Sequence, residues 1–220
     1  YGLTGRVDER IGRMLSVAGW LAGVPLLAGI LRRALPAGAV VVAASWWIVA
    51  PLAFVYARAF MTDATMVATS LAAFLALLRF RERPSGARAA TSAALVGLAL
   101  LLKPHAVFWI GPAASVLLLA QTSTDERPNA RWLFIQAGAL AVGAALAAAW
   151  YLHAAAVHRQ YPAPGATGLQ GWFVAGALLE PTFYAELLRQ VVLMGFTPLG
   201  LAVAIAGVLA AVEAYAGAKD

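Results

Sequence analysis

Between Met14 and Val212 the chain passes through seven apolar stretches, and the charges in that interval lie between the stretches rather than inside them. No other feature narrows the fold so far. The stretches are continuous and rich in Ala, Leu and Val, without the period-two alternation of a transmembrane strand. In lipid, every backbone N–H and C=O has to be satisfied within its own segment, so continuous runs of this kind fold as helices. Hydrophobic residues make up 62% of the chain and charged residues 12%, more apolar surface than a soluble domain of this size covers. The expectation is an all-α, multi-spanning transmembrane helical bundle of about seven spans. Residues 1–220 form one transmembrane domain in this reading, with juxtamembrane surface helices.

The first span is predicted over about Met14 to Leu31, ending at Arg32-Arg33. The second runs from the Leu35-Pro36-Ala37-Gly38 turn to about Tyr56, and the third covers about Ala64 to Leu78. Residues 89–121 are too long for one span: a single helix would reach about 50 Å against a hydrocarbon core of roughly 30 Å. Lys103-Pro104-His105 divides them, because proline lacks a donor and disfavours helix at the residue before it. Two short spans result, 89–102 and 106–120, forming a hairpin. An arm of about 21 Å puts the Lys-Pro-His tip below the outer membrane surface. Further spans cover 132–152 and 191–212. Residues 1–13 and 172–190 read as surface helices. In the second of these, Leu178, Leu179, Phe183, Leu187 and Leu188 fall near helical spacing, while Pro181, Glu180, Glu186 and Arg189 interrupt any span.

The net charge of +6 reflects Arg in short loops between spans rather than a nucleic-acid surface. RFRERPSGAR (79–88) and TSTDERPNAR (122–131) are the two inner loops, which puts 56–63 and 153–171 on the outer face. There is no Cys, so disulfides and thiolate chemistry are excluded. The sequence opens at Tyr1 without a signal-peptide pattern and reads as a piece of something longer. No HExxH, Walker A or GxSxG motif is present, nor a strand–Gly-rich-loop–helix pattern, so an enzyme with a soluble cofactor is not expected.

A charge at the bilayer centre costs about 2.5–3.5 kcal/mol on insertion scales, so charges in or beside spans are candidates for function. Lys103 is the sharpest: it needs an anionic partner, and a lipid-linked phosphate is a natural one. The alternative is a lysine that snorkels to the interface. His105 beside it is placed to donate a hydrogen bond or to bind a metal. Asp63, at an outer turn, either lines a wet cavity facing a cation, a metal or a sugar hydroxyl, or caps the helix that starts at Ala64. Arg58 belongs to the same turn, or snorkels from a helix end. Glu9 and Arg13 are spaced i,i+4 and share a helix face, most simply as a solvated ion pair. His153 and His158 flank an outer loop and read as solvated. No cofactor is fixed by these residues; a divalent cation stays open.

Four stretches in order resemble the multi-spanning GT-C glycosyltransferases, in particular the bacterial protein O-mannosyltransferase and aminoarabinose transferase superfamily. Glu9-Arg-Ile-Gly-Arg13-Met-Leu-Ser16 is similar to that family's E-x-x-x-R-x-x-S. Pro51-Leu-Ala-Phe-Val-Tyr-Ala-Arg58-Ala-Phe-Met-Thr-Asp63 is similar to its Pro-rich span end followed by Arg and Asp. Gly97-Leu-Ala-Leu-Leu-Leu-Lys103-Pro resembles its G-L-A-x-L-x-K hairpin. Trp150-Tyr151 resembles its P-W-Y span end, with Ala149 in place of the proline. The resemblance implies a transferase that moves a sugar from a polyprenyl phosphate to a lipid, glycan or protein acceptor on the outer, periplasmic face of the cell inner membrane. It implies that Lys103 helps bind the donor phosphate, that Asp63 lines the same cavity, and that Glu9 and Arg13 shape it. It also places the family's catalytic acidic residue upstream of the stretch matching Glu9. The competing class is a non-enzymatic membrane protein, a transporter or a structural subunit. A broken helix near the membrane midplane fits a transporter, but no second copy of that element is present.

Overall fold

The computed structural model describes residues 9–50, 62–120, 130–161 and 179–190, with scattered positions at 55, 176 and between 192 and 207. Every regular element among the described residues is a helix. They are α1 (Glu9–Leu31), α2 (Ala37–Val49), α3 (Asp63–Glu82), α4 (Gly86–Leu102), a 3₁₀ turn (Pro104–Ala106), α5 (Val107–Ala120), α6 (Ala130–Gln160) and α7 (Pro181–Gln190). The chain divides into two compact units, residues 1–48 with 55–166 and residues 49–54 with 167–220.

In the first unit α3 is the central helix, with α1, α4 and α5 packed on it and α6 packed on α4. Side-chain contacts give the directions. The Thr65 hydroxyl on α3 reaches the Leu15 carbonyl on α1 at 3.5 Å, Gly29 lies against Leu75, and Arg33 pairs with Glu82. These two helices therefore run parallel. The turn after α3 is tight: Ser85 caps α4 by accepting from the Arg88 N–H at 3.3 Å. The Arg88 guanidinium donates to the carbonyls of Arg79 and Arg83 at 3.0 and 2.7 Å. That sends α4 back antiparallel to α3. On α4 and α6, Ser92 meets Gln136, Gly97 meets Gly143, and Leu100 meets Tyr151, so this pair runs parallel.

Small residues set the spacing. A Cβ on Gly19 would meet the Thr65 backbone at 2.9 Å, and one on Gly143 would meet the Ala93 carbonyl at 2.5 Å. Lipid tails supply no hydrophobic drive between helices, so close backbone contact and interhelical hydrogen bonds hold them instead. The α4–α6 seam has both. Gln136 is almost fully buried and donates to the Ser92 hydroxyl at 2.8 Å, which donates to the Ala89 carbonyl at 2.8 Å. Phe80 and Trp132 meet edge to face, with ring centroids 6.2 Å apart. On the other flank, α2 is tied to α1 by a reciprocal pair. The Trp47 indole donates to the Trp20 carbonyl at 2.9 Å, and the Trp20 indole donates to the Trp47 carbonyl at 3.3 Å.

The outer surface is apolar. Phe134 is 76% exposed and Trp109 71%, while the buried core cluster contains the small Ala73, Ala99 and Ala106. Large aromatic side chains facing out, while alanines sit in the core beside Met66, Val96 and Ile110, suit a lipid solvent. The chain is a multi-pass membrane protein. Among the described residues, three helices are long and apolar enough to cross a bilayer, α1, α3 and α6, with α2 and α4 shorter.

The count of seven spans is therefore not reached on these residues. Helix α2 has 13 residues, about 20 Å, and most of the rest of the expected second span lies outside the described residues. So does most of the expected last span, 191–212. Helix α6 runs to Gln160, past the expected end at Leu152, because His153-Ala-Ala-Ala-Val keeps favouring helix. In the second unit, the helix expected over 172–190 is described over Pro181–Gln190. Pro181 opens it rather than breaking it, since proline suits the first helical position, where no N–H partner is needed. At ten residues, about 15 Å, α7 is too short to cross. Phe183 and Leu187 share one face, and Glu186 pairs with Arg189 at 2.7 Å on another.

Candidate functional site

The site grows out of the break between α4 and α5. Proline at 104 pushes Lys103 out of helix, to φ −155° and ψ 129°. The Lys103 N–H still closes the last turn of α4 on Ala99 at 3.1 Å, and the Lys103 carbonyl accepts from Ala106 at 3.1 Å. The break leaves two carbonyls without helical partners. Leu100 would bond to residue 104, which has no N–H, and Leu101 would bond to residue 105, which has left the helix. The Tyr151 hydroxyl on α6 reaches both, at 3.1 Å each.

Asp63 opens α3, and Thr62 precedes it as the capping position without a side-chain bond. The capping alternative for Asp63 is thus not what the structure shows. Its carboxylate instead takes the Lys103 ammonium with both oxygens, each at 2.7 Å. The positive end of the α3 dipole favours the charged carboxylate there. Neither partner is sealed off: the Lys103 side chain is 34% exposed and that of Asp63 26%. The pair can therefore be reached by a ligand.

Neighbouring helices run on past this pair. Gly19 lies level with Thr65, so Glu9 stands about 15 Å further along α1. Tyr151 lies level with Leu100 and Leu101, and α6 continues another nine residues to Gln160, about 14 Å. The ends of α1 and α6 thus extend beyond the level of the ion pair.

The other sequence candidates are placed as follows. Glu9 and Arg13 form the expected i,i+4 ion pair at 3.1 Å, well exposed, at the same end of the unit as Asp63. They bond to each other rather than to the Asp63–Lys103 pair. Ser16, third member of that motif, is buried and donates to the Gly12 carbonyl at 3.1 Å. His105 is exposed, its ring 6.5 Å from that of Phe108. Arg58 lies outside the described residues. No group of three or more metal-ligating side chains gathers among the described residues.

Two features escaped the sequence reading. Tyr151 enters the sequence reading only within the Trp150-Tyr151 span end, although the carbonyls freed by Pro104 signalled a missing donor. The second feature is an apolar groove of about 410 Å³, within the range of ligand sites. One wall is α3, with Val67, Leu71 and Phe74; Trp47 of α2 and Trp109 and Ile110 of α5 complete it. Positions 63, 67, 71 and 74 repeat at helical spacing and share a face of α3, so the groove begins one turn below Asp63.

The sequence model for dolichyl-phosphate-mannose-protein mannosyltransferase matches residues 2–151, more than half of the chain. No curated protein and no solved structure matches it. The matched stretch includes Glu9, Arg13, Asp63, Lys103 and Tyr151 and ends at the last of them. The chain belongs to the dolichyl-phosphate-mannose-protein mannosyltransferase family and is a membrane glycosyltransferase of the GT-C type.

Proposed function

We propose that this protein transfers a sugar from a polyprenyl-phosphate donor to an acceptor hydroxyl on the outer, periplasmic face of the inner membrane, and that Lys103 receives the donor phosphate. The observation that carries this reading is the juxtaposition of a reachable cation with an apolar groove on one face of α3. A polyprenyl phosphate has that same layout: an anionic head on a long apolar tail. The head would meet Lys103 and the tail would follow Val67, Leu71 and Phe74 towards the membrane interior.

In the reaction, the acceptor oxygen bonds to the sugar's anomeric carbon while the bond from that carbon to the phosphate oxygen breaks. The lipid phosphate leaves with the bonding pair, and the acceptor proton passes to a base. Lys103 stabilises the charge that builds on the leaving phosphate, more strongly where it is partly buried than in bulk water. Before donor arrives, Asp63 holds that ammonium in place. When the phosphate takes the ammonium, the Asp63 carboxylate is released to accept a hydrogen bond from a hydroxyl in the cavity. Glu9 and Arg13, with Arg58 just upstream of α3 in the sequence, would shape the approach, and His105 would stand beside the phosphate as a donor. Membership of a transferase family favours this over a transporter or structural subunit.

The test is sugar transfer from a lipid-linked donor by the intact, membrane-embedded protein. Lys103→Ala is expected to raise the donor KM. Unchanged transfer in that variant removes the phosphate role from Lys103.

A further inference from the structure

The stripe that docks α6 on α4 ends in a hydroxyl. Gln136, Gly143 and Ala147 are all buried, and Tyr151 continues their spacing, four residues after Ala147 on the same face. The closest approach of the two helices, at Gly97 and Gly143, fixes how far Tyr151 reaches. Its hydroxyl then meets the Leu100 and Leu101 carbonyls, whose helical partners Pro104 has taken away. The next residues of the chain are Leu102 and Lys103.

We infer that Tyr151 is a positioning residue: its hydroxyl holds the open end of α4 so that Lys103 is set against Asp63. A hydroxyl carries one proton, shared here between two acceptors. Without it, both carbonyls lose that donor, and the last turn is free to fray or to draw in water. Lys103 is the residue that closes that turn, so fraying moves its backbone and with it the ammonium. The role rests on the reading of Lys103 as the phosphate ligand, but its structural half is separable from it. A break held only part of the time lowers apparent donor affinity by the held fraction and leaves turnover at saturation intact.

The experiment compares wild type, Tyr151→Phe, Lys103→Ala and the lipid-facing control Leu152→Ala in the intact protein. Tyr151→Phe keeps the ring and removes one oxygen, so it folds. Amide hydrogen exchange should quicken by well over about tenfold at Lys103 and Ala106 in Tyr151→Phe, with residues 89–97 unchanged. The donor KM should rise roughly five- to tenfold, with kcat within about twofold. Leu152→Ala should move neither. Unchanged exchange at Lys103 and Ala106 overturns the inference. Faster exchange with an unchanged donor KM overturns it too, if Lys103→Ala raises that KM. If Lys103→Ala leaves transfer unaltered, the phosphate reading falls, and the exchange rates alone decide whether Tyr151 holds the break.

Discussion

Asp63 grips Lys103 with both carboxylate oxygens at 2.7 Å, joining residues forty positions apart across the α3–α4 pair. One starts a helix and the other ends one, so each charge also suits the helix dipole at its own end. Thr62 takes the capping position of α3 without a side-chain bond, and the α4 C-terminus is closed by the Lys103 backbone. A partly exposed ion pair of this kind adds little to stability, about 0–1 kcal/mol. Keeping it below the ends of longer helices therefore suits a role other than holding the fold together.

Removing the cation tests that role most directly. A charge-assisted hydrogen bond contributes about 1.5–3 kcal/mol, so Lys103→Ala should raise the donor KM roughly ten- to hundredfold. Lys103→Arg should recover part of this, because the charge survives while the point-like geometry changes. Steady-state transfer with a lipid-linked donor reads both. Equal KM values in wild type and Lys103→Ala would remove Lys103 from the donor site.

Asp63 competes with the phosphate for the same ammonium and also supplies a carboxylate to the cavity. Asp63→Asn keeps the shape and deletes the charge. It should tighten binding of a non-transferable lipid phosphate several-fold, since the competitor is gone, and slow transfer by about tenfold or more. Titrating the lipid against purified protein gives the first number and a transfer assay the second. Weaker lipid binding would show that Asp63 does not compete with the phosphate and that its hold on Lys103 is the larger effect.

The fold class was legible because continuous apolar runs admit one solution in lipid. The break at Pro104 was legible for an equally local reason, a missing donor and a length that exceeds the bilayer. The Asp63–Lys103 pairing was half legible: unpaired charges at two outer turns invite a partner, but only the antiparallel packing of α3 and α4 brings these two together. The groove was not legible, because its walls come from α2, α3 and α5 and no periodicity of one segment announces a shared cavity. The contact of Tyr151 with the α4 break was not legible, since the sequence does not reveal which carbonyls a tyrosine will face. The extra length of α6 was missed because polar His153 suggested a loop while the alanines around it continued the helix.

Helix spacing at the α4–α6 seam gives a stability prediction. At Gly143 an added methyl would sit 2.5 Å from the Ala93 carbonyl, which is backbone and cannot swing away. Gly143→Ala should lower stability by about 1–3 kcal/mol, and Gly143→Leu more. At Gly138, where a Cβ meets nothing within 4 Å, alanine should be tolerated. Thermal unfolding in detergent separates the two sites, and similar midpoints for Gly143→Ala and Gly138→Ala would mean that the two helices do not approach this closely.

Helix directions give a sidedness prediction. Ser85 lies at the end of the first unit marked by Glu82 and Arg88, and His158 lies at the opposite end, beyond Tyr151. In sealed vesicles, Ser85→Cys and His158→Cys should react with an impermeant thiol reagent from opposite sides, with Ser85 inside on the Arg-rich loop. The chain has no native Cys, so each signal belongs to the introduced site. Labelling of both from one side would refute the arrangement.

The groove can be tested independently of the charges. Val67 lies one turn below Asp63 on the groove face and is only partly buried, so Val67→Trp should fill the upper groove without rebuilding the core. A long polyprenyl tail would then lose its path, while a donor with a short tail has little tail to place there. The donor KM should rise roughly tenfold or more for the long-chain lipid, a loss of about 1.4 kcal/mol or more, and change by less than about threefold for a short-chain one. Lys103→Ala, by contrast, should weaken both donors alike, because both carry the same phosphate. Measuring the two variants against the two donors separates head recognition from tail recognition. Equal losses for long and short chains in Val67→Trp would show that the tail does not run along α3.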